Sequence, residues 1–347
     1  MAIQQEQQEQ HRQKYSCSSN NIKTVAATAA CNSNNNNNNN KALVEATTGS
    51  TEKHQWEQEQ ERRQKNLRKQ CASLGLQKNI TEDWLKKYKG NLGHILVSDK
   101  HQAMYCYVPK VSCTNWKEVF LVMNGVTTKE QVKKYSLRTV HSKTSSAKWR
   151  LNRLSTNEIL HRLKTYKKFI LVRNPFSRSL STYRDKFEKD TPLSRSFRNG
   201  YGNKIHLKYG NHGELAGKKP PAGGYDVTFQ EFIKYIGDHK KVKFNGGPTE
   251  HWIPMFDLCN PCAVQYDIIG HLETLALDTK NILEQIGGLP YMDLVVGQSP
   301  HGTNSSKNKT LSKYFNQLTE EDIEGIRWRY KKDFKIFGYS DERAPID

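Results

Sequence analysis

The chain has 347 residues, and its 54 Lys and Arg residues against 35 Asp and Glu residues give a net charge of +19. No apolar run approaches the roughly 18 residues that a membrane-spanning helix needs, so an integral membrane bundle is excluded and no signal anchor is readable. The 7 cysteines are too sparse for a small disulfide-rich scaffold. The length allows two domains, or one large α/β domain that carries a disordered segment.

The positive charge is concentrated outside the N-terminal part of the chain. Residues 1–71 hold ten basic and seven acidic residues, a net charge of +3, which leaves +16 for residues 72–347. A field of this sign attracts polyanions, namely nucleic acid, anionic lipid head groups, acidic polysaccharide or a nucleotide cofactor. A basic protein without a polyanionic ligand is the alternative.

The N-terminal part is of low complexity. It contains a Gln-rich stretch at 4–13, an unbroken run of asparagines at 34–40 and a Gln/Glu/Lys/Arg-rich stretch at 55–70. Such sequence cannot bury enough apolar surface to offset its chain entropy. The last stretch could form a helix, but it lacks a sustained apolar heptad. We therefore predict a disordered or linker segment over 1–71 and one folded domain over 72–347.

Strands alternate with helices along the folded part. Thr81, Thr228 with Glu231, and Thr319 with Asp322 are predicted helix caps. The alternation indicates an α/β fold with a mostly parallel sheet covered on both faces, in which ligands bind at the carboxyl ends of the strands. Hydrophobic patterns predict strands at 94–98 (an edge strand), 103–108, 168–172 and 265–270, and helices at 83–88, 114–123, 176–187, 225–236, 272–286 and 318–334.

One segment interrupts this alternation. Residues 200–224 contain seven of the 22 glycines and two of the 11 prolines. We predict a long flexible insert, and long loops in compact domains are usually either functional or disordered.

The strand predicted at 103–108 runs through a short loop directly into a helix. The loop and the helix start carry Lys110, Ser112 and Thr114, which converge with the first N–H groups of the helix where an anion can bind. An ordinary strand–helix turn with a Ser or Thr cap is the alternative. A nucleotide-binding P-loop is excluded because the segment has no glycine.

The strand predicted at 168–172 ends in Arg173, whose guanidinium can bind a phosphate through two hydrogen bonds. In the following helix Ser177 and Ser181 lie on one face, and Arg184 follows on that face. A solvated basic helix would explain the apolar positions of this segment, but it would not explain an arginine at the end of the strand.

These two segments, 105–116 and 173–187, are followed by two further blocks. One spans 250–275 and contains Glu-His-Trp, Cys-Asn-Pro-Cys and Tyr-Asp-Ile-Ile-Gly; the other ends in Phe337-Gly338-Tyr339. In content and order the four blocks resemble the Golgi carbohydrate sulfotransferases, in particular the group that contains the chondroitin and dermatan 4-O-sulfotransferases.

The resemblance covers roughly residues 94–340 and implies a single P-loop-like three-layer domain around the central sheet. Two features depart from the family pattern. Asn174 stands where the family usually has Asp, and no N-terminal signal anchor is visible. The family implies a type II membrane protein of the Golgi lumen, so membrane association is expected from the resemblance alone.

The resemblance implies transfer of a sulfuryl group from 3′-phosphoadenosine 5′-phosphosulfate to a glycan hydroxyl, without a metal. The acceptor it implies is N-acetylgalactosamine in chondroitin- or dermatan-type chains. Lys110 is expected to stabilise charge on the leaving phosphate, and Arg173 and Ser181 are expected to hold the 3′-phosphate. The candidate donor-binding residues are Pro109, Lys110, Val111, Ser112, Cys113, Thr114, Asn115, Arg173, Asn174, Pro175, Phe176, Ser177, Arg178, Ser179, Leu180 and Ser181.

The acceptor hydroxyl needs a general base, and histidine is the commonest choice. His251, in the Glu-His-Trp block, and His141, between the two donor segments, are the candidates, with His251 preferred. Glu250 is a further possibility. A structural or exposed role is the alternative for each histidine.

Four of the cysteines, Cys106, Cys113, Cys259 and Cys262, could bind zinc, but their spacing is not that of paired Cys-x-x-Cys motifs. In a luminal protein one or two disulfides are favoured, and their pairing cannot be read from the sequence.

Three Asn-x-Ser/Thr triplets, at Asn79, Asn304 and Asn308, are candidate glycosylation sites. Such triplets arise often by chance, so they support a secretory route only weakly.

The acceptor partner is expected to be an acidic polysaccharide or a glycoprotein glycan, and no nucleic acid partner is expected. Lys204, Lys208, Lys218 and Lys219 in the flexible insert are candidates for part of its groove. Two rival functions stay open: a basic nucleic-acid-binding protein, for which no binding module is recognisable, and a catalytically silent glycan-binding protein of the same fold.

Overall fold

The computed structural model describes residues 37–210, 215, 217–240, 247–297 and 303–342. The Gln-rich stretch, part of the asparagine run and the middle of the glycine-rich insert lie outside the described residues. The chain divides into two compact units, Met1–Glu52 and Lys53–Asp347, and the four blocks all lie in the second.

One four-stranded sheet is present in the described part of the chain. Its strands are β1 (Ile95–Ser98), β2 (Ala103–Cys106), β3 (Lys167–Val172) and β4 (Ile268–His271), in that order. The edge strand β1 is antiparallel to β2, and the other two neighbouring pairs are parallel. All strand residues except Lys167 are buried, which explains why the strands are continuous apolar runs. The predicted α/β fold with a mostly parallel sheet is confirmed.

Helices connect the strands and form most of the remaining structure. The α-helices among the described residues are Asn37–Ser73, Glu82–Tyr88, Cys113–Met123, Lys129–Val132, Leu137–Ser146, Thr156–Thr165, Pro175–Tyr183, Pro192–Phe197, Asn203–Tyr209, Phe229–Gly237, Met255–Cys259, Pro261–Val264, Leu275–Gln285, Met292–Val296, Asn308–Phe315, Glu320–Arg329 and Lys331–Phe337.

The predicted helix caps are confirmed. The side chain of Thr81 accepts a hydrogen bond from the first turn of its helix. Thr228 and Glu231 form a reciprocal capping box, and so do Thr319 and Asp322. Each cap satisfies N–H groups that have no partner within the helix.

Two predicted helices end earlier than the sequence pattern indicates. The helix predicted at 176–187 is regular only to Tyr183, and Arg184–Glu188 then forms a π-helical turn. The helix predicted at 318–334 is two helices, because Tyr330 leaves the helical region with φ −104° and ψ 18°.

The glycine-rich insert is only partly irregular. Asn203–Tyr209 forms a helix with Ile205 buried, so the prediction of a flexible loop is wrong for these residues. Gly224 adopts φ +83°, and a Cβ at this position would lie 2.7 Å from the backbone of Arg198. Glycine is therefore required here by both conformation and space.

The interior contains two apolar clusters. The larger surrounds the sheet. The smaller is formed mainly by helices, including Pro175–Tyr183, Phe229–Gly237 and Glu320–Arg329, around the buried ring of Trp252. Helix Pro175–Tyr183 begins immediately after β3, so the segment with the predicted 3′-phosphate residues is packed on the second cluster.

Residues 53–71, which the sequence analysis assigns to a linker, belong to the second compact unit. Trp56 and Arg63 donate hydrogen bonds to the buried carboxylate of Asp278, at 2.8 and 3.1 Å. The amide of Gln60 both donates to and accepts from the backbone of Ile269, so it pairs with β4 as a neighbouring strand would. The linker prediction is wrong here: these hydrogen bonds hold this part of the helix together with the buried side chains of Trp56, Leu67 and Cys71.

Two disulfides lie within the described residues. Cys71 is bonded to Cys262 and Cys106 to Cys259, so the two cysteines of Cys-Asn-Pro-Cys have different partners. These four sulfur atoms are therefore not available as zinc-binding thiols. Cys113 is a buried free thiol.

The Arg63–Asp278 pair predicts a measurable contribution to stability. Replacing Arg63 with Met leaves the buried Asp278 carboxylate without its guanidinium, so we expect the free energy of unfolding to fall by about 3 kcal/mol. Arg62, whose side chain is 60% exposed, is the matched control, and Arg62→Met should cost less than about 1 kcal/mol. Denaturant titration of the oxidised protein measures both values. Equal effects of the two substitutions would contradict this assignment.

Candidate active site

The two predicted anion-binding segments meet at one edge of the sheet. β2 and β3 are parallel neighbours, so the loop after β2 and the turn after β3 leave the sheet side by side. Arg173 Nη1 donates a hydrogen bond to the backbone carbonyl of Lys110 at 3.1 Å. The structure therefore brings together the residues that the sequence analysis placed at two strand ends.

The loop after β2 has an unusual backbone. Lys110 and Ser112 adopt φ +72° and +51°, in the left-handed region that non-glycine residues rarely occupy. Ser112 precedes helix Cys113–Met123 but makes no side-chain capping bond. The first N–H groups of this helix thus keep their capacity to bind an anion. Strain of this kind is concentrated at functional sites in proteins.

The Lys110 side chain ends in an ion pair. Its Nζ lies 3.0 Å from Oδ2 of Asp185, and Nζ of Lys186 lies 3.0 Å from the same oxygen. Burial lowers the pKa of Lys110, whereas the nearby Asp185 carboxylate raises it. Burial alone would raise the pKa of Asp185, but Lys110 and Lys186 hold it at about 2.

The guanidinium of Arg173 binds two hydroxyl groups and lies near the carboxylate of Glu273. Nε donates to Ser177 Oγ at 2.9 Å, and Nη2 donates to Ser306 Oγ at 2.8 Å. Ser181 Oγ lies 3.0 Å from Thr303 Oγ1. This cluster of one buried cation and several hydroxyls has the composition of a phosphate site.

Other residues of the second segment form its frame. Asn174 caps the helix, because its side-chain oxygen accepts hydrogen bonds from the N–H groups of Phe176 and Ser177. The amide oxygen performs here the capping task that the family's aspartate would perform. Pro175 occupies the first helical turn, and the Ser179 hydroxyl donates to its carbonyl.

The apolar members of the predicted donor-binding set lie in the protein interior. Phe176 packs against Phe315 and Phe334, and Leu180 is fully buried. Pro109, Val111 and Cys113 are buried as well, the half-buried Thr114 lies near His141, and the Asn115 amide donates to the carbonyl of Leu294. Direct donor contacts by these residues stay a prediction.

Arg178 links the donor loop to the Glu-His-Trp block. Its buried guanidinium donates to the backbone carbonyls of Pro109, Ile253 and Glu250, at 3.1, 2.8 and 3.2 Å. All three nitrogens are thereby engaged with backbone. The observed contacts assign Arg178 to the frame of the site, and its predicted contact with the donor stays untested.

His251 directly follows Glu250, whose backbone carbonyl Arg178 binds. Its backbone carbonyl accepts a hydrogen bond from Thr182 Oγ1 at 3.0 Å, and its buried Nδ1 has no partner among the described residues. The His251 ring packs edge-on against the Phe197 ring, with 5.6 Å between the centroids. Nζ of Lys186 lies 5.0 Å from the centroid of the Phe197 ring. Burial, then the charges of Lys186 and Lys110, hold the pKa of His251 well below its usual range.

His141 reaches the donor loop from helix Leu137–Ser146. Its Nδ1 lies 3.1 Å from Nζ of Lys117, and its Nε2 lies 3.5 Å from Thr114 Oγ1. Burial, then the charges of Lys117 and Lys186, lower its pKa to about 4. Both candidate bases are therefore neutral near pH 7.

Glu250, the further candidate base, has a histidine partner of its own. Its carboxylate lies 3.5 Å from Nε2 of His94, and burial raises its pKa.

Sequence reasoning missed four residues that line the two cation clusters. Asp185 and Lys186 fall within the family-like block, where the Arg-x-Lys-Phe pattern was the available signal. Thr303 and Ser306 reach the site from more than 100 residues away, and no local pattern points to them.

The predicted glycosylation asparagines Asn79, Asn304 and Asn308 are all exposed. Ser306, the third residue of the triplet at Asn304, is the hydroxyl bonded to Arg173. Glycosylation itself stays a prediction. Within the described residues, we find no helix that is both long enough and apolar enough to span a membrane.

Comparison with known proteins confirms the resemblance drawn from the four blocks. A model of the sulfotransferase family matches residues 93–340. Carbohydrate sulfotransferase 14 of Danio rerio is 35% identical over 280 residues, which are 81% of this chain and 71% of that protein. Carbohydrate sulfotransferase 10 of Xenopus laevis is 32% identical, with coverage of 79% and 74%. Carbohydrate sulfotransferase 11 of Mus musculus is 34% identical, with coverage of 72% and 68%.

No solved structure matches the chain. The family model spans the donor loop, the Arg173 segment and both remaining blocks, and the relatives align along most of their own length. On these grounds the chain belongs to the sulfotransferase family.

Proposed function

We propose that this protein transfers a sulfuryl group from 3′-phosphoadenosine 5′-phosphosulfate to a hydroxyl of a glycan. The observation that carries the proposal is the pair of cation clusters at neighbouring strand ends, one at Lys110 and one at Arg173, joined by a hydrogen bond. A donor with a 5′-phosphosulfate and a 3′-phosphate requires two such subsites. The names of the similar proteins support a carbohydrate acceptor.

The residues fit this donor. Arg173 lies among the hydroxyls of Ser177 and Ser306, and Ser181 extends the cluster through Thr303. We assign this cluster to the 3′-phosphate. The loop of Lys110, with its strained backbone and uncapped helix start, is assigned to the 5′-phosphosulfate. A nucleotide without a 3′-phosphate would leave the Arg173 cluster unused, so the pair of sites discriminates between donors.

The donor supplies a sulfuryl group whose bond to the acceptor oxygen forms as its bond to the bridging phosphate oxygen breaks. That bridging oxygen becomes negative as the bond breaks, and the positive charge of Lys110 stabilises it. The helix that begins at Cys113 adds the positive end of its dipole. Both groups are held in place before the reaction, so little reorganisation is needed.

His251 takes the proton from the acceptor hydroxyl in this proposal. Its ring is neutral, its Nδ1 has no partner among the described residues, and Phe197 connects it with Lys186 in the donor subsite. His141 is the alternative, but Lys117 lies within hydrogen-bond distance of one of its ring nitrogens.

The acceptor is an anionic glycan in this proposal, with N-acetylgalactosamine of chondroitin- or dermatan-type chains as the specific candidate. The net charge of +19 favours such chains electrostatically. Lys204, Lys218 and Lys219 of the insert are exposed and remain candidate contacts, whereas Lys208 is paired with Asp238. Two disulfides suit an oxidising compartment, so we place the enzyme in the Golgi lumen.

Lys110→Met should lower kcat for sulfate transfer by about 100-fold or more, because the leaving oxygen loses its stabilising charge. The assay uses donor labelled in the sulfuryl group and desulfated chondroitin, dermatan or heparan chains. Lys86→Met, on an exposed helix, is the control and should retain full activity. A wild-type protein that binds glycan without transferring label would instead identify a catalytically silent glycan-binding protein.

Arg173→Lys should weaken binding of 3′-phosphoadenosine 5′-phosphosulfate by about tenfold or more, since a lysine cannot form the guanidinium's several hydrogen bonds. Binding of adenosine 5′-phosphosulfate, which lacks the 3′-phosphate, should be unchanged. Calorimetric titration of both nucleotides measures the difference. Equal weakening of the two would place Arg173 outside the 3′-phosphate subsite.

His251→Ala should reduce kcat by about 100- to 10,000-fold while the donor Kd stays at the wild-type value. His141→Ala should be the milder substitution. If His251 is the base, kcat/KM for the acceptor should stay level as the pH falls through about 6.5, the ordinary histidine pKa, because the pKa of His251 is depressed. A loss of activity centred near that pH, or full turnover by His251→Ala, would remove His251 from this role.

A further inference from the structure

Asp185 and Lys186 lie where the helix of the Arg173 segment changes its winding. The π-helical turn Arg184–Glu188 follows the last regular residue of helix Pro175–Tyr183. Such turns interrupt α-helical spacing and are frequent at functional sites. Here the turn carries a carboxylate that faces two ammonium groups.

One carboxylate oxygen is shared by two cations. Nζ of Lys110 and Nζ of Lys186 each lie 3.0 Å from Oδ2 of Asp185. The side chains of Lys110, Asp185 and Lys186 are only 14%, 23% and 7% exposed. Water therefore screens the two positive charges poorly, and an uncompensated pair would be costly.

The carboxylate has the chemistry of the ligand that the subsite is proposed to take. Carboxylate and phosphate oxygens are both anionic acceptors that bind ammonium groups through short charge-assisted hydrogen bonds. Asp185 holds Lys110, the lysine that the proposed function assigns to the phosphosulfate. Lys186 contacts the same oxygen, so an anion that replaced the carboxylate would meet both lysines.

We propose that Lys186 is the second cation of the phosphosulfate subsite and that Asp185 is an internal counter-ion that the donor displaces. This inference rests on the proposed function, because it takes Lys110 as a donor-binding residue. While Asp185 occupies the two lysines, only a fraction of the molecules is ready to bind donor. The apparent affinity for the donor is therefore reduced in proportion to that fraction.

The ion pair with Asp185 also has a role in the free enzyme. With Asp185 in place, the ammonium groups of Lys110 and Lys186 have an anionic partner in the free enzyme without a bound anion. The donor then takes over a cation pair that is already formed. Lys186 also lies over the ring of Phe197, which packs against His251, so a cation at this position reaches toward the proposed base.

Two nucleotides separate this role from a purely structural one. Adenosine 3′,5′-bisphosphate carries both phosphates, whereas adenosine 3′-monophosphate lacks the 5′-group that Lys186 would contact. Asp185→Asn should bind the bisphosphate several-fold more tightly, and Lys186→Gln should bind it about tenfold more weakly. Neither should change the affinity for the 3′-monophosphate. Lys186→Arg keeps a cation and should retain most of the wild-type affinity.

Asp83 and Lys86 provide the matched control pair. They are of the same residue types and lie 2.8 Å apart, but their side chains are 90% and 73% exposed. Asp83→Asn and Lys86→Gln should leave both affinities unchanged. Thermal melting gives a second readout: Asp185→Asn should melt at a lower temperature without nucleotide and gain more from the bisphosphate than wild type gains.

Unchanged bisphosphate affinity in both Asp185→Asn and Lys186→Gln, or equal changes for the two nucleotides, would overturn the counter-ion proposal. If the wild-type protein still bound the bisphosphate and transferred sulfate, the proposed function would stand without the counter-ion role of Asp185. A wild-type protein that bound neither nucleotide would overturn both. Should Lys186→Gln fail to fold, Asp185→Asn, which is nearly isosteric, carries the test.

Discussion

The site is organised around one buried guanidinium. Arg178 donates to the carbonyls of Pro109, Glu250 and Ile253, which belong to the donor loop and to the Glu-His-Trp block. A buried cation must satisfy its donors, so this arrangement tolerates little relative movement of the two segments. It fixes the Lys110 loop beside the chain that carries His251. In the proposed mechanism, Arg178 thus helps to fix the distance between the leaving-group stabiliser Lys110 and the base His251.

Around this link, the cations of the site are compensated in different ways. Arg173 donates to the hydroxyls of Ser177 and Ser306; burial lowers its pKa, and the nearby Glu273 carboxylate raises it. Lys110 and Lys186 share the carboxylate of Asp185. In the proposal the Asp185 carboxylate must move away before another anion can bind the two lysines. The large net charge of the chain is therefore not simply a solvated surface property. At the site the positive charge is partly balanced by nearby carboxylates.

The sequence predicted features that depend on short-range chemistry. Strand ends, helix caps and the proximity of Lys110 to Arg173 follow from hydrophobic patterns and from the geometry of parallel strands. Contacts between distant segments could not be predicted, because no local pattern encodes them. Ser306 reaches Arg173 in this way, and Arg63 reaches Asp278. The pattern around Arg63 predicts a linker because its apolar residues are too few for a heptad, whereas buried hydrogen bonds and a few core residues such as Trp56 and Leu67 hold this helix.

The central claim is that the ends of β2 and β3 hold the two phosphates of one adenine nucleotide. A crystal structure with adenosine 3′,5′-bisphosphate tests it most directly. We expect the 5′-phosphate against the Lys110 loop and the first turn of helix Cys113–Met123, and the 3′-phosphate against Arg173 and Ser181. A nucleotide bound elsewhere, or bound here with its phosphates exchanged, would contradict this assignment.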